Sequence, residues 1–396
     1  MHILFFCQLF YPLLYGGGEV LFRDLTRNLV LRGHEVHVVT QRVAGSPDSE
    51  KLWGMRVWRV GMAANYAGAL TTGLVESLLY LVGAFVVGIR IALRAHVDLI
   101  HSNTYVSSMV AQVCAVILRK KHVMTVHDVY LASLPWFWEK WSRQPNVGFL
   151  PRVLGPVLER ALLHMPVTMI HTVSETSKRD LLEIGTETRI AVVPNGIMVN
   201  ENSDDAPMSV DPHRAVFIGR LVFYKNLEVV LRALKRVTRL VPEAKLIIVG
   251  DGPMRRTWQD LVDDLDLSDH VRFYGKVPEQ EKRHLLSGSA YLILPSLVEG
   301  FGLVVLEAFA SSKTVLASRI GALAELVSDG VDGYLVHPNS ETDWADKMIT
   351  LFQHPERARD MGLMGLRKAT SDFSMDRIAE QMEHAYEQVL KDTRKP

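Results

Sequence analysis

The sequence predicts an α/β protein of two Rossmann-like βαβ domains facing a central cleft. Three observations carry this. Short apolar runs of strand length alternate with helix-length segments along the whole chain, the pattern of a parallel, helix-covered sheet. The alternation breaks once, over 198–213, where the chain becomes polar, gains prolines and loses periodicity, which marks a domain boundary. With 396 residues, 48% apolar and 22% charged, the chain can bury two cores, which excludes disorder and fibre.

Residues 2 to 40 read as one βαβ unit: a strand to Phe6, the loop Gly16-Gly17-Gly18-Glu19, a helix to about Arg32, and a strand to Thr40. Three glycines before a helix allow close backbone approach to a ligand, although a plain turn fits equally well. The dinucleotide fingerprint Gly-x-Gly-x-x-Gly is absent. Strand-like runs follow at Met55–Val60, Asp98–Ser102, His122–Val126, Thr168–Val173 and Arg189–Val193. Ser174 reads as a helix N-cap, and Pro194-Asn195-Gly196 as a turn. The second half has strands at Ala215–Ile218, Lys245–Val249, Val271–Tyr274, Thr314–Ala317 and Tyr334–Val336, with a helix over Asn226–Leu240. Helices from Glu341 to Thr370 and an amphipathic helix from Phe373 to Lys391 close the chain.

The most informative stretch is Pro295 to Ala310. An apolar run, Ala290–Leu294, precedes it, and apolar residues at i+3 and i+4 follow Gly302, so it reads as strand, tight loop and buried helix. In an open parallel sheet such a loop lies where ligands bind, and the free N–H groups of its helix form an anion site. Glu299 and Glu307 flank that site; beside a phosphate they are better placed to accept hydrogen bonds from hydroxyls. Gly219-Arg220-Leu221 leaves another strand, and Lys225 precedes a helix. Two cations in such a loop suit a pyrophosphate, Arg as a fork and Lys as a point charge. His127-Asp128 likewise follows directly on a strand.

Glu299-Gly-Phe-Gly-Leu…Glu307 resembles the donor-site signature of retaining glycosyltransferases of family 4, which have the GT-B fold. The resemblance implies a sugar moved from a nucleotide-diphosphate sugar, UDP- or GDP-hexose, to a hydroxyl acceptor with retention at the anomeric carbon. It implies that Arg220 and Lys225 neutralise the leaving diphosphate together with the N–H groups near Gly302 and Leu303, and that Gly219 lies at the donor. Glu307 would hold the ribose and Glu299 the sugar hydroxyls. His127 would lie near the transferred sugar, and Gly17 and Gly18 would face the donor phosphates and acceptor. It further implies an acceptor-binding domain over 1–200, a donor-binding domain over 201–371, and a last helix, 372–396, packed back on the first. A GT-B sugar epimerase, or a catalytically silent nucleotide-sugar-binding subunit, would use the same pocket.

Charge and composition narrow the partners. Forty-four basic residues balance forty-four acidic ones, so no global field draws the chain to nucleic acid, and no nucleic-acid partner is expected. Cys7 and Cys114 lie in apolar runs, as reduced core cysteines of a cytoplasmic protein do. The start lacks a Lys/Arg region and reads as a buried strand rather than a signal sequence. No metal or other cofactor is expected: Asp264-Leu265-Asp266 sits in a charged helical segment, and no His/Cys cluster appears. The apolar run 78–89 and the aromatic segment 136–141 suggest a lipid-linked or membrane-embedded acceptor and peripheral membrane contact, against the alternative of an ordinary sheet-covering helix. Twelve apolar residues are too few to span a bilayer, which needs roughly 20.

Overall fold

A computed structural model describes residues 1–13, 16–64, 74–134, 136–143, 150–198 and 209–392. The chain divides into two compact units, one formed by Met1–Gly196 with the stretch from Met375, the other by Ile197–Ser374. Much of the expected 198–213 boundary lies outside the described residues. Its last part departs from expectation, since Asp211 already begins a strand.

The first unit runs β1 (His2–Cys7), α1 (Gly17–Leu31), β2 (Glu35–Val43), β3 (Ser49–Leu52), β4 (Met55–Ala64), α2 (Leu74–Arg94), β5 (Leu99–Asn103) and α3 (Thr104–Leu118). It continues through β6 (Lys121–Val126), α4 (Tyr130–Ser133), α5 (Phe137–Ser142), α6 (Leu150–Leu163), β7 (Met169–Thr172), α7 (Glu175–Glu183) and β8 (Ile190–Val192). The eight strands form one sheet in the order β3-β4-β2-β1-β5-β6-β7-β8. The sheet is parallel except for β3, which pairs antiparallel with β4. The β3 hairpin was not expected: Ser-Glu-Lys-Leu has no apolar run, because an edge strand needs none.

Helix α2 is longer than the apolar run that announced it. It spans 21 residues, and Val75–Arg94 is long and apolar enough to cross a membrane, so the argument that the segment is too short does not hold. Its inner side is nonetheless seated on the sheet. A Cβ on Gly88 would lie 2.5 Å from the Phe6 ring and one on Gly83 2.9 Å from Val60, so both glycines let the helix approach closely. Tyr80, Ala84 and Ile91 are buried there, in one core with Leu4, Phe6 and Ile100. Ser174 caps α7, its hydroxyl accepting from the Ser177 N–H at 3.0 Å.

The second unit runs β9 (Asp211–Ile218), a 3₁₀ turn (Phe223–Lys225), α8 (Leu227–Leu240), β10 (Lys245–Val249), α9 (Arg255–Asp264), β11 (Val271–Gly275), α10 (Glu279–Ser287) and β12 (Ser289–Leu294). There follow α11 (Leu303–Ala310), β13 (Thr314–Ser318), α12 (Gly321–Leu326), β14 (Gly333–Val336), α13 (Glu341–Gln353) and α14 (Pro355–Asp372). All six strands are parallel, in the order β11-β10-β9-β12-β13-β14. The core helix α8 buries Leu227, Val230, Leu231, Leu234 and Val237, one stripe at helical spacing.

The last helix, α15 (Met375–Lys391), belongs to the first unit and packs against α1. Glu383 receives both Arg32 and His34. At the inner end Tyr386 reaches His101 across 2.6 Å. Gly196 makes room for this helix, since a Cβ there would lie 2.8 Å from Ile378.

Candidate active site

In an open parallel sheet the crevice opens where the strand order reverses direction, and loops leaving the carboxyl ends of the two central strands line it. In the second unit that point lies between β9 and β12. The β9 loop carries Gly219, Arg220 and Lys225, and the β12 loop carries Glu299, Gly302 and Leu303. The sheet order therefore brings together residues about eighty positions apart. Lys225 Nζ donates to Glu299 Oε2 at 2.5 Å, and the Ser296 hydroxyl donates to the same oxygen at 2.9 Å. The backbone closes the pair, because Leu297 N–H donates to the Tyr224 carbonyl at 2.7 Å. The buried Tyr224 hydroxyl also accepts from Arg220 Nη2 at 3.1 Å, which fixes the guanidinium.

Gly219 sits in a crowded turn. A Cβ on the neighbouring Gly250 would lie 1.9 Å from the Gly219 carbonyl oxygen, so these backbones meet without side chains. Gly302 has φ +90, the left-handed region, and a Cβ there would approach Leu323 to 2.6 Å. Only glycine turns the chain into α11 at this position. The first N–H groups of that helix, beginning at Leu303, have no intrahelical acceptor and suit an anion. Because α11 starts at Leu303, Glu307 lies just over one turn along it.

Glu307 has a partner that the sequence did not announce. Lys282 on α10 donates to it at 3.0 Å and also meets Glu279 at 3.0 Å. Burial pushes the Lys282 pKa down, but the charges of Glu307 and Glu279 outweigh it and hold the ammonium above its ordinary range. Lys282 thus orients the Glu307 carboxylate.

In the first unit the strand order reverses between β1 and β5. Around it lie the start of α1, with Gly17 and Gly18, and the ends of β5 and β6. His127 follows β6, and its Nε2 lies 2.8 Å from Asn103 Oδ1 at the end of β5. That contact assigns the ring proton to Nε2 and leaves Nδ1 as an acceptor. Burial, reinforced by His171, pushes the His127 pKa down to about 3, so the imidazole is neutral in ordinary buffers. A Cβ on Gly18 would lie 2.9 Å from His127 Nε2, so this glycine is what lets the helix start beside the ring. Asn103 went unread because the apolar run stops at Ser102, one residue before the position that matters.

The aromatic segment 136–141 is largely occupied with itself. Phe137 is buried and stacks on Tyr130 at 3.9 Å, and Trp138 Nε1 donates to Glu159 at 2.7 Å. Glu159 also accepts from the Tyr130 N–H at 2.8 Å. Among the described residues no three His, Cys, Asp or Glu side chains gather in a way that could hold a metal ion.

Comparison with known proteins places this geometry. The model of Glycosyltransferase Family 4 matches residues 15–201, and that of Glycosyl transferases group 1 matches 199–365. The N-acetyl-alpha-D-glucosaminyl L-malate synthase of Bacillus anthracis is 26% identical over 394 residues, covering 95% of each chain. The sucrose-phosphate synthase of Thermosynechococcus elongatus superposes with a TM-score of 0.79 at 21% identity, covering 98% of this chain and 99% of that one. HepE of Anabaena, solved in complex with UDP and glucose, superposes with a TM-score of 0.74 at 19% identity, covering 98% and 100%. The structural likenesses show the fold, GT-B with two Rossmann-like domains. The two family models, end to end over most of the sequence, show that the chain belongs to the group 1 glycosyltransferases of family 4.

Proposed function

We propose that the protein transfers a hexose from a nucleotide-diphosphate sugar, UDP- or GDP-linked, to a hydroxyl of a lipid or lipid-linked glycan, with retention at the anomeric carbon. The observation that carries the reading is the Lys225–Glu299 pair between the two central loops of the second sheet, with Arg220 and the α11 amides in the same loops. Charge develops on the diphosphate as the glycosidic bond breaks, and preorganised cations and amides lower that barrier most. When the diphosphate takes Lys225, Glu299 is released to accept from sugar hydroxyls. Glu307, held by Lys282, serves the ribose, and the neutral His127 offers a hydrogen bond but no charge to the sugar. Residues 1–200 are proposed as the acceptor half, with Gly17 and Gly18 at the phosphates, and 201–371 as the donor half. HepE was solved with UDP, which supports a uridine nucleotide. The lipid character of the acceptor, and a peripheral place on the cytoplasmic membrane face, are drawn from the surface of the first unit alone.

Slow hydrolysis in the absence of acceptor tests the reading. Release of the free sugar with its anomeric configuration retained is the expected result. A 2-epimer would make the protein an epimerase, and donor binding without turnover would make it a binding subunit.

A further inference from the structure

Helices α2, α3 and α6 lie side by side, α2 packing on α3 and α3 on α6, and each turns an apolar stripe outward. On α2 the stripe is Val75, Val82, Val86 and Leu93, with Val82 65% exposed. On α3 it is Met109, Val113 and Val116, the last 58% exposed. On α6 it is Val153 and Val157, the latter 64% exposed. Each set follows helical spacing, so each helix carries an apolar stripe toward solvent in addition to the one it buries. A patch drawn from three neighbouring helices is larger than scattered surface apolar residues explain.

The charges on these elements are one-sided. The carboxylates of the three helices are Glu76, at the start of α2, and Glu159, turned inward to Tyr130 and Trp138. Arg90, Arg94, Arg119, Lys120, Arg152 and Arg160 stand on or just beyond the same helices, and none of them has an ion-pair partner among the described residues. In a chain whose charges balance overall, this is a local excess of cations bordering an apolar face. An apolar face rimmed by unpaired Arg and Lys is complementary to an anionic bilayer surface, with hydrocarbon beneath a negative headgroup layer.

We propose that the outward face of α2, α3 and α6 is an interfacial docking surface for anionic lipid. It deepens the lipid-acceptor reading above and rests on that reading for its role in catalysis. The inner side of α2 stays on the sheet, so the helix lies along the interface and does not span it. The Trp136–Trp141 segment is then a structural neighbour of the surface, since Trp138 is held by Glu159 and packs over Gly155.

Co-sedimentation of the full chain with vesicles tests this. Wild type should pellet with mixed phosphatidylcholine–phosphatidylglycerol vesicles at low salt, and little with phosphatidylcholine alone. Val82→Ser/Val86→Ser/Val116→Ser should lower the fraction bound to the anionic vesicles at least about fivefold. Arg90→Ala/Arg94→Ala/Arg119→Ala/Lys120→Ala should remove the preference for anionic vesicles by about tenfold or more. Both variants should hydrolyse donor at the wild-type rate, which shows that they fold and separates this test from that of the transferase reading. Wild type remaining in the supernatant with anionic vesicles overturns the proposal. So does an apolar variant that pellets like wild type, or a wild-type dimer in sedimentation velocity that the apolar variant abolishes, since a second copy then covers the face. Vesicle binding with no donor hydrolysis would leave the surface standing and sink the transferase reading instead.

Discussion

On the proposed function, Arg220 and Lys225 would divide the work on one diphosphate in different ways. The Arg220 guanidinium is oriented by the Tyr224 hydroxyl, whereas Lys225 is paired with Glu299. Arg220→Ala and Lys225→Ala should each lower turnover at saturating donor by about a hundredfold, roughly 3 kcal/mol, the usual loss for one preorganised donor to a developing negative charge. Near-normal turnover in both would remove them from the reaction. At this scale the placement of a residue was readable where it stands next to a turn glycine or a strand end, as Arg220, Lys225, Glu299 and His127 do, whereas their roles belong to the proposal. It was unreadable where the partner comes from another element. Lys282 meets Glu307 from a neighbouring helix and Asn103 meets His127 from a neighbouring strand, and no local spacing encodes either meeting.

The elements that carry the proposed chemistry are two loops and one helix end. On the proposed function, the first amides of α11 and the two loop cations would supply positive charge where many phosphate sites place a metal ion. Turnover should therefore survive EDTA; complete loss, restored by Mn²⁺ or Mg²⁺, would show that a metal carries the diphosphate charge instead. The central strands were legible because strands buried on both faces read as continuous apolar runs, β12 over Ser289–Leu294 being one such. The polar edge strand β3 and the short helices α4 and α5 lack that signal and were not foreseen. Helix α2 was half read: its apolar character was visible, but not its full length, nor that small residues on one side press it to the sheet while valines on the other remain exposed.

Across the whole molecule, the first unit contains buried histidines that the second does not match. Strand register sets Thr125 beside His171, and His101 reaches Thr125 from β5. The direction of this chain is fixed at its end, where the Val193 carbonyl can only accept, from His171 Nε2–H at 2.9 Å. His171 Nδ1 must then accept from the Thr125 hydroxyl, Thr125 from His101 Nε2–H, and His101 Nδ1 from the Tyr386 hydroxyl of α15. Every ring nitrogen is used with both rings neutral, so a further proton on either ring would break a hydrogen bond of the chain. Burial holds the His171 pKa down at about 4 and pushes His101 well below its ordinary value, and outside this chain it holds His122, bonded to Ser102 and Gln112, at about 3. The sign follows directly. Below the ordinary histidine pKa, about 6.5, the unfolded chain takes up protons that the folded chain refuses, so stability falls as pH drops from there toward the folded values and is unaffected above it. Between about pH 7 and about pH 5 each such histidine costs on the order of 2 kcal/mol, enough to lower Tm by several degrees. His122→Gln, which removes one of these groups, should show a shallower fall in Tm over the same range. A wild-type Tm that does not change between those two pH values, or ring-proton NMR showing His122 titrating near its ordinary pKa in the folded protein, would show that these imidazoles are not held neutral by the fold.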